Sequence, residues 1–317
     1  MLELKDITKI YGDEPALSDL SLTIGDGALY GFVGPNGAGK TTAIRIMAGL
    51  LKPDAGEVYL SGNKVENGSV LIRNTGYIPD SLGLYRNLKV SEYMEFFAAC
   101  AGLEGLEARK RTAELLAEVD LSDREEYYVE ALSRGMKQRL SLARALISDP
   151  PVLLMDEPTS GLDPGTRYEF KKLVSSLSDK GKTIVISSHI LSDISEICSD
   201  VAIIDQGKIV ISGRLAEVMN RVTAGNPIVI SVDRDVTKAV KLLKQDPKTE
   251  SVTVRGNDVL ISFTGLPGEE AALLKKLVDA GIPVRSFARQ KGSLESIFMQ
   301  LTGGHDRLIA SSDDYNE

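Results

Sequence analysis

Apolar and polar positions along the chain follow two rhythms, and their order predicts the architecture. Leu2 to Tyr11 and Ala16 to Ile24 read as strands about a turn at Gly12-Asp13-Glu14-Pro15, with Ser21-Leu22-Thr23-Ile24 the cleanest alternation. Leu29 to Val33 is a continuous apolar run, the pattern of a strand buried on both faces. Thr42 to Leu51 then switches to helical spacing, with Ile44, Met47, Ala48 and Leu51 in phase. Glu57 to Leu60 predicts a short strand, and a further one ends at Gly76-Tyr77-Ile78-Pro79-Asp80.

From Asn87 to Pro150 the composition turns to Ala, Leu, Glu, Lys and Arg. Three helices are expected there. The first carries Val90, Tyr93, Met94 and Phe97 on one face, with Ser91 as its N-cap. The second runs from Ala108 to Val119. The third runs from Ser133 to Ile147, with Met136, Leu140, Ala143 and Ile147 on one side. Apolar strands return at Val152–Met155, Thr183–Ser187 and Val201–Asp205, so the region reads as a parallel α/β sheet with a helical insertion.

Near residues 220–226 the pattern resets. A strand at Ile228–Val232, a helix at Val236–Leu243, a hairpin around Gly256-Asn257, a helix at Glu269–Ala280 and a strand at Pro283–Phe287 follow. The order β-α-β-β-α-β predicts a ferredoxin-like α+β domain over 226–303. Ala272, Leu273, Leu277 and Val278 are expected to face its core. A last helix is expected at Leu294–Leu301, and a polar, disordered tail over 304–317.

Composition narrows the classes. Of 317 residues, 43% are hydrophobic and 26% charged, as in ordinary globular domains. A net charge of −8 argues against non-specific binding of nucleic acid, which rests on Lys and Arg neutralising phosphates, and no nucleic-acid partner is expected. The two cysteines, Cys100 and Cys198, lie in apolar helical patterns and read as free, half-buried thiols. Two histidines offer no zinc cluster. Charges at Glu3, Lys5 and Asp6 occupy the place of a signal peptide's apolar core, and no apolar run approaches the roughly 18 residues of a membrane span. A cytoplasmic chain reaching a membrane only through a partner is the expectation.

The chemistry centres on Gly34-Pro35-Asn36-Gly37-Ala38-Gly39-Lys40-Thr41-Thr42, which fills every fixed position of the P-loop pattern between a strand and a helix. Backbone amides there can turn in around phosphate oxygens, and the helix N-terminus adds partial positive charge. Lys40 is placed for the β- and γ-phosphates and the Thr41 hydroxyl for Mg²⁺. Asp156-Glu157, closing an apolar strand, has the form of a Walker B pair. Asp156 would hold Mg²⁺ through water, and Glu157 would polarise an attacking water.

Leu132-Ser133-Arg134-Gly135-Met136-Lys137-Gln138 opens a helix before that strand and resembles the signature motif of ABC ATPases. The order of P-loop, signature, Walker B, Ser160-Gly161-Leu162-Asp163 (the D-loop) and His189 (the switch histidine) is also theirs, over residues 1 to about 220. The resemblance implies a RecA-like P-loop core with an antiparallel β subdomain and a helical subdomain at about 87–150. It further implies ATP and Mg²⁺ as ligands and a head-to-tail dimer. In that dimer Ser133 and Gly135 of one subunit would face the γ-phosphate held by the other. It places Tyr11 against adenine and His189 against the γ-phosphate and water.

Two departures from the family pattern stand out. Arg134 and Met136 replace the usual Gly and Gln of the signature, and Asp80 stands where most members have the Q-loop glutamine. A carboxylate at Asp80 could ligate Mg²⁺ directly. These features, with Leu294-Glu295-Ser296-Ile297-Phe298-Met299-Gln300-Leu301, look like the type-2 exporter branch, which serves drug, sodium and polysaccharide efflux. There the ATPase docks on a separate membrane permease, here through roughly Asp80 to Phe97. Two alternatives stay open: an importer ATPase with a ligand-binding regulatory domain, and a soluble ABC ATPase outside transport.

Overall fold

The computed structural model describes residues 1–223, 227–265 and 267–289. The chain divides into two compact units with the break after Leu215.

The first unit opens with a hairpin of β1 (Leu2–Tyr11) and β2 (Glu14–Ile24), followed by β3 (Leu29–Val33) and α1 (Lys40–Met47). All five residues of β3 are buried, as its continuous apolar run predicts. Helix α1 stops short of Leu51. Gly49 takes a left-handed conformation, and the amides of Leu50 and Leu51 return to the Arg45 carbonyl at 2.9 and 3.2 Å. Next come β4 (Ala55–Leu60), the two-residue β5 (Asn63–Lys64), α2 (Ser69–Asn74) and β6 (Thr75–Ile78).

The helical segment comprises α3 (Val90–Cys100), α4 (Gly105–Glu118) and α5 (Arg134–Ala145). Ser91 does not cap α3. The N-cap is Lys89, whose N–H donates to Glu92 Oε2 at 2.9 Å. The amides of Val90 and Ser91 donate instead to the carbonyls of Tyr127 and Glu125, so a crossing segment satisfies the helix start and no serine hydroxyl is needed. Cys100 is exposed and Cys198 buried, both free.

The unit closes with β7 (Val152–Met155), α6 (Pro164–Asp179), β8 (Thr183–Ser188), α7 (Leu191–Ile197), β9 (Asp200–Asp205), β10 (Lys208–Arg214) and α8 (Leu215–Thr223), the last crossing the break between units. Its main sheet has the order β10-β9-β3-β8-β7-β6. Every pair from β9 to β6 is parallel, and β10 adds an antiparallel edge. A separate antiparallel sheet, β2-β1-β4-β5, packs its apolar side (Leu4, Ile7, Leu22, Ile24) into the same core as Ile44 and Met47 of α1.

The second unit contains β11 (Ile228–Val232), α9 (Val236–Lys244), β12 (Thr249–Arg255), β13 (Asp258–Phe263), α10 (Pro267–Asp279) and β14 (Val284–Arg289). Its all-antiparallel sheet runs β12-β13-β11-β14, the ferredoxin-like arrangement. Its own core joins Ile228, Ile230, Val259 and Ile261 to Leu243, Leu273 and Leu277. The inward face of α10 differs from the expected one, because Ala272 is exposed and Val278 is 56% exposed. Positions 273 and 277 share one helical face, while 272 and 278 each lie about 100° off it. The expected helix at Leu294–Leu301 and the tail lie outside the described residues.

Candidate active site

The parallel register gathers the candidate residues on one edge of the main sheet. Val33 pairs with Ser188, Met155 with Ile186, and Ile78 with Met155. The chain leaving β3 is therefore Gly34, that leaving β8 is His189, that leaving β7 is Asp156-Glu157, and that leaving β6 reaches Asp80. This is the carboxyl edge, where ligands bind in open α/β sheets.

The P-loop wraps from Gly34 to Lys40. Gly39 sits at the N-cap of α1 with φ 103°, and a Cβ there would lie 2.5 Å from the Ala16 carbonyl oxygen. Only glycine meets both conditions. That contact also brings the loop beside the β1–β2 turn. Tyr11, at the end of β1, is 51% exposed, with the Lys9 ammonium over its ring at 5.8 Å. Asn36 and Gly37 are exposed, and nothing lies within 4 Å of a Cβ built on Gly37, so the outer rim of the loop is open.

Lys40 is almost fully buried. Its ammonium donates to the carbonyls of Gly34 (2.7 Å) and Pro35 (3.1 Å) and lies 3.3 Å from Glu157 Oε1. The other Glu157 oxygen, Oε2, is 2.8 Å from His189 Nδ1 and also accepts the His189 amide at 3.4 Å. Burial works to raise the Glu157 carboxyl. The His189 hydrogen bond and the Lys40 charge outweigh it and hold the carboxyl below its ordinary range. The Glu157 hydrogen bond in turn raises the His189 imidazole above its ordinary value, against burial. Glu157 Oε1 is buried without a well-formed hydrogen bond, which leaves it an acceptor to offer.

Asp156 is 1% exposed, and its Oδ1 accepts from Ser187 Oγ at 2.7 Å. The same hydroxyl oxygen accepts the Glu157 amide at 2.9 Å. Ser187 thus fixes both members of the pair. Sequence reasoning passed over it, because a serine at the end of an apolar run carries no spacing signal. Asp80 is exposed and makes no hydrogen bond or ion pair among the described residues. Thr41 and Thr42 begin α1, both partly exposed.

Ser133 is the N-cap of α5, its Oγ accepting from the Met136 amide at 3.3 Å. Gly135 is buried, and a Cβ there would collide with the Thr166 side chain on α6, so its glycine has a packing reason as well. No hydrogen bond or ion pair among the described residues joins Ser133 or Gly135 to residues 34–42 of the same chain.

No cluster of three or more His, Cys, Asp or Glu side chains suited to a metal occurs among the described residues. An ion here would share a carboxylate and a hydroxyl with phosphate oxygens, the usual habit of Mg²⁺.

The chain is similar to known proteins over most of its length. Residues 17–160 match the family model described as ABC transporter. Residues 213–302 match the ATP-binding protein DrrA1-3-like, C-terminal domain. The bacitracin transport ATP-binding protein BcrA of Bacillus licheniformis is 35% identical over 96% of this chain and 98% of its own length. The chain belongs to the ABC transporter family of ATPases. The daunorubicin resistance ATP-binding protein DrrA3 of Streptomyces coeruleorubidus is 35% identical over 95% of each chain. The Nod factor export ATP-binding protein I of Ralstonia nicotianae is 33% identical over 96% of this chain and 94% of that one. These relatives, with the DrrA-like C-terminal match, place it in the type-2 exporter branch. Among solved structures, a dimeric bacterial ABC transporter cassette superposes with a TM-score of 0.62 at 30% identity, covering 68% of this chain and 99% of that one. The same cassette in a post-hydrolysis state with ADP and Pi gives 0.62 at 29% identity, with the same coverage.

Proposed function

We propose that this ABC ATPase drives export through a separate membrane permease. In this reading it works as a dimer whose two ATP sites are each completed by the signature helix of the other subunit. The observation that carries it is the Lys40–Glu157–His189 constellation on the carboxyl edge, beside a phosphate-binding loop whose outer rim is open. Support for export comes from relatives named for bacitracin transport, daunorubicin resistance and Nod factor export. Among the described residues no helix is long and apolar enough to cross a membrane, so a permease would come from another chain. The subunit would then sit at the cytoplasmic face of that partner.

The residues have separable tasks. Loop amides from Gly34 to Thr42 and the Lys40 ammonium bind the phosphates, and Tyr11 stacks on adenine. Thr41 and Asp156 would hold Mg²⁺, with Asp80 as a further oxygen ligand. When bound, the ion supplies charge neutralisation on the phosphates. Glu157 accepts a proton from the attacking water, and His189 holds that carboxylate and the γ-phosphate in line. Ser133 and Gly135 of the second subunit close the site on the γ-phosphate side.

Glu157→Gln tests this reading. It removes the proton acceptor while keeping the shape, so turnover falls by a factor of about 10² or more while ATP binding persists. With ATP and Mg²⁺ the variant runs as a dimer in light scattering. A persistent monomer would sink the composite site, and undiminished turnover would remove Glu157 from the mechanism.

A further inference from the structure

Glu157 is held in a conformation its sequence disfavours. Its φ is 49°, in the left-handed region, and Pro158 follows it. Non-glycine residues occupy that region at a cost, and a residue before proline is further restricted to extended backbone. Such a residue persists only when its surroundings fix it from both sides. On the N-terminal side the anchor is Ser187, whose hydroxyl oxygen accepts the Glu157 amide at 2.9 Å. On the C-terminal side, two residues on, Thr159 is buried and its Oγ1 donates to Asp193 Oδ2 at 2.9 Å.

Asp193 is itself buried on α7, four residues beyond His189. It also accepts from Lys171 Nζ of α6 at 3.1 Å, with Arg167 Nε 3.8 Å away. The contacts form a closed ring. From Glu157 the chain runs through Pro158 to Thr159, whose hydroxyl crosses to Asp193. The chain then runs back to His189, whose Nδ1 returns to the Glu157 carboxylate at 2.8 Å.

We infer that the Thr159–Asp193 hydrogen bond sets the distance between Glu157 and His189, which makes Thr159 and Asp193 positioning residues for hydrolysis. The inference rests on Glu157 acting as the proton acceptor. Among the described residues neither side chain hydrogen-bonds to residues 34–42. Their effect passes through the orientation of the carboxylate, which matters when water must be in line and not when ATP merely binds. Lys171 and Arg167 anchor the same carboxylate to α6, so the segment after the Walker B pair and the segment after the switch histidine hold one geometry.

The test is ATP hydrolysis by the full chain carrying Thr159→Val, which keeps the shape and removes the donor. The expected result is a kcat about tenfold lower with KM for ATP within twofold, and a melting temperature only a few degrees lower for the lost buried hydrogen bond. Thr159→Ser, which restores the hydroxyl, recovers at least half of the wild-type kcat. Thr159→Ala serves as the readout if valine is not accommodated. A kcat within twofold of wild type in the hydroxyl-free variant, or a serine variant as slow as the valine one, overturns the inference. Glu157→Gln, assayed alongside, separates the two ideas. If it is inactive while Thr159→Val is fully active, only the strut fails. If it retains activity, the role of Glu157 fails with it.

Discussion

Paired titratable groups give the site a pH signature that can be worked out residue by residue. The His189 imidazole is raised above 6.5 by its bond to Glu157, so its share of stability is fully present below 6.5 and is lost as pH rises through the raised value. The Glu157 carboxyl is lowered below 4.5, so its share is present above 4.5 and is lost as pH falls through the lowered value. The pair is therefore strongest between about pH 4.5 and 6.5. His189→Asn removes it. The melting temperature of the nucleotide-free chain should drop most in that window, and the difference from wild type should shrink as the pH is raised further. A difference that stays flat with pH would mean that the Glu157–His189 contact carries no charge in the resting protein. Lys40 belongs to the same account. It rests on two backbone carbonyls and Glu157, and a phosphate would draw it off all three. These residues were legible in the sequence because each sits in a spaced motif. Ser187, Thr159 and Asp193 were not. A serine at a strand end and an aspartate in a short helix have no spacing signal, and their importance lies in which residue lies opposite after folding.

Among elements, the strands that end at the site were the most legible and the helix faces less so. A parallel strand buried on both sides announces itself as an unbroken apolar run, and β3, β7 and β8 each did. The edge strand β10 did not, since its alternation (exposed, half-buried) is shallow. The cap of α3 was misread because a backbone crossing from residues 125–127 supplies the partners, which is a tertiary fact. Helix α10 offers a direct check on the corrected face. Leu277 is fully buried in the core that also holds the inward residues of β11 and β13, whereas Val278 is 56% exposed. Leu277→Ala should cost about 2–5 kcal/mol of that unit's stability, and Val278→Ala within about 0.5 kcal/mol. Urea titration followed by a probe in the second unit measures both. Equal losses at the two positions would put the helix in a different rotation about its axis.

On the proposed reading the hydrolysis site must reach a membrane partner, and a groove in the first unit is the surface to test for that. A groove of about 670 Å³ is lined by Leu84, Tyr85, Arg86, Asn87, Leu88 and Phe96. Tyr85 and Phe96 are 53% and 46% exposed and stack edge-on at 5.7 Å. Large aromatics kept in water at this density mark interaction surfaces. The groove follows Asp80 at the sheet edge and is tied to the signature helix. Arg144 of α5 donates to the Tyr93 hydroxyl at 3.1 Å and lies over the Phe97 ring at 5.3 Å. A helix end inserted between Tyr85 and Phe96 would therefore press on the helix that begins at Ser133. Phe96→Asp is the test that keeps the two activities apart. It places a charge on an exposed ring position, so the fold and ATP affinity should stay within twofold of wild type. Recovery of the permease in affinity purification from native membranes should fall at least tenfold, since burying an unpaired carboxylate in an apolar contact costs several kcal/mol. Full recovery of the permease with this variant would move the docking surface elsewhere, and a parallel loss of ATP binding would show that the groove supports the fold before it serves a partner.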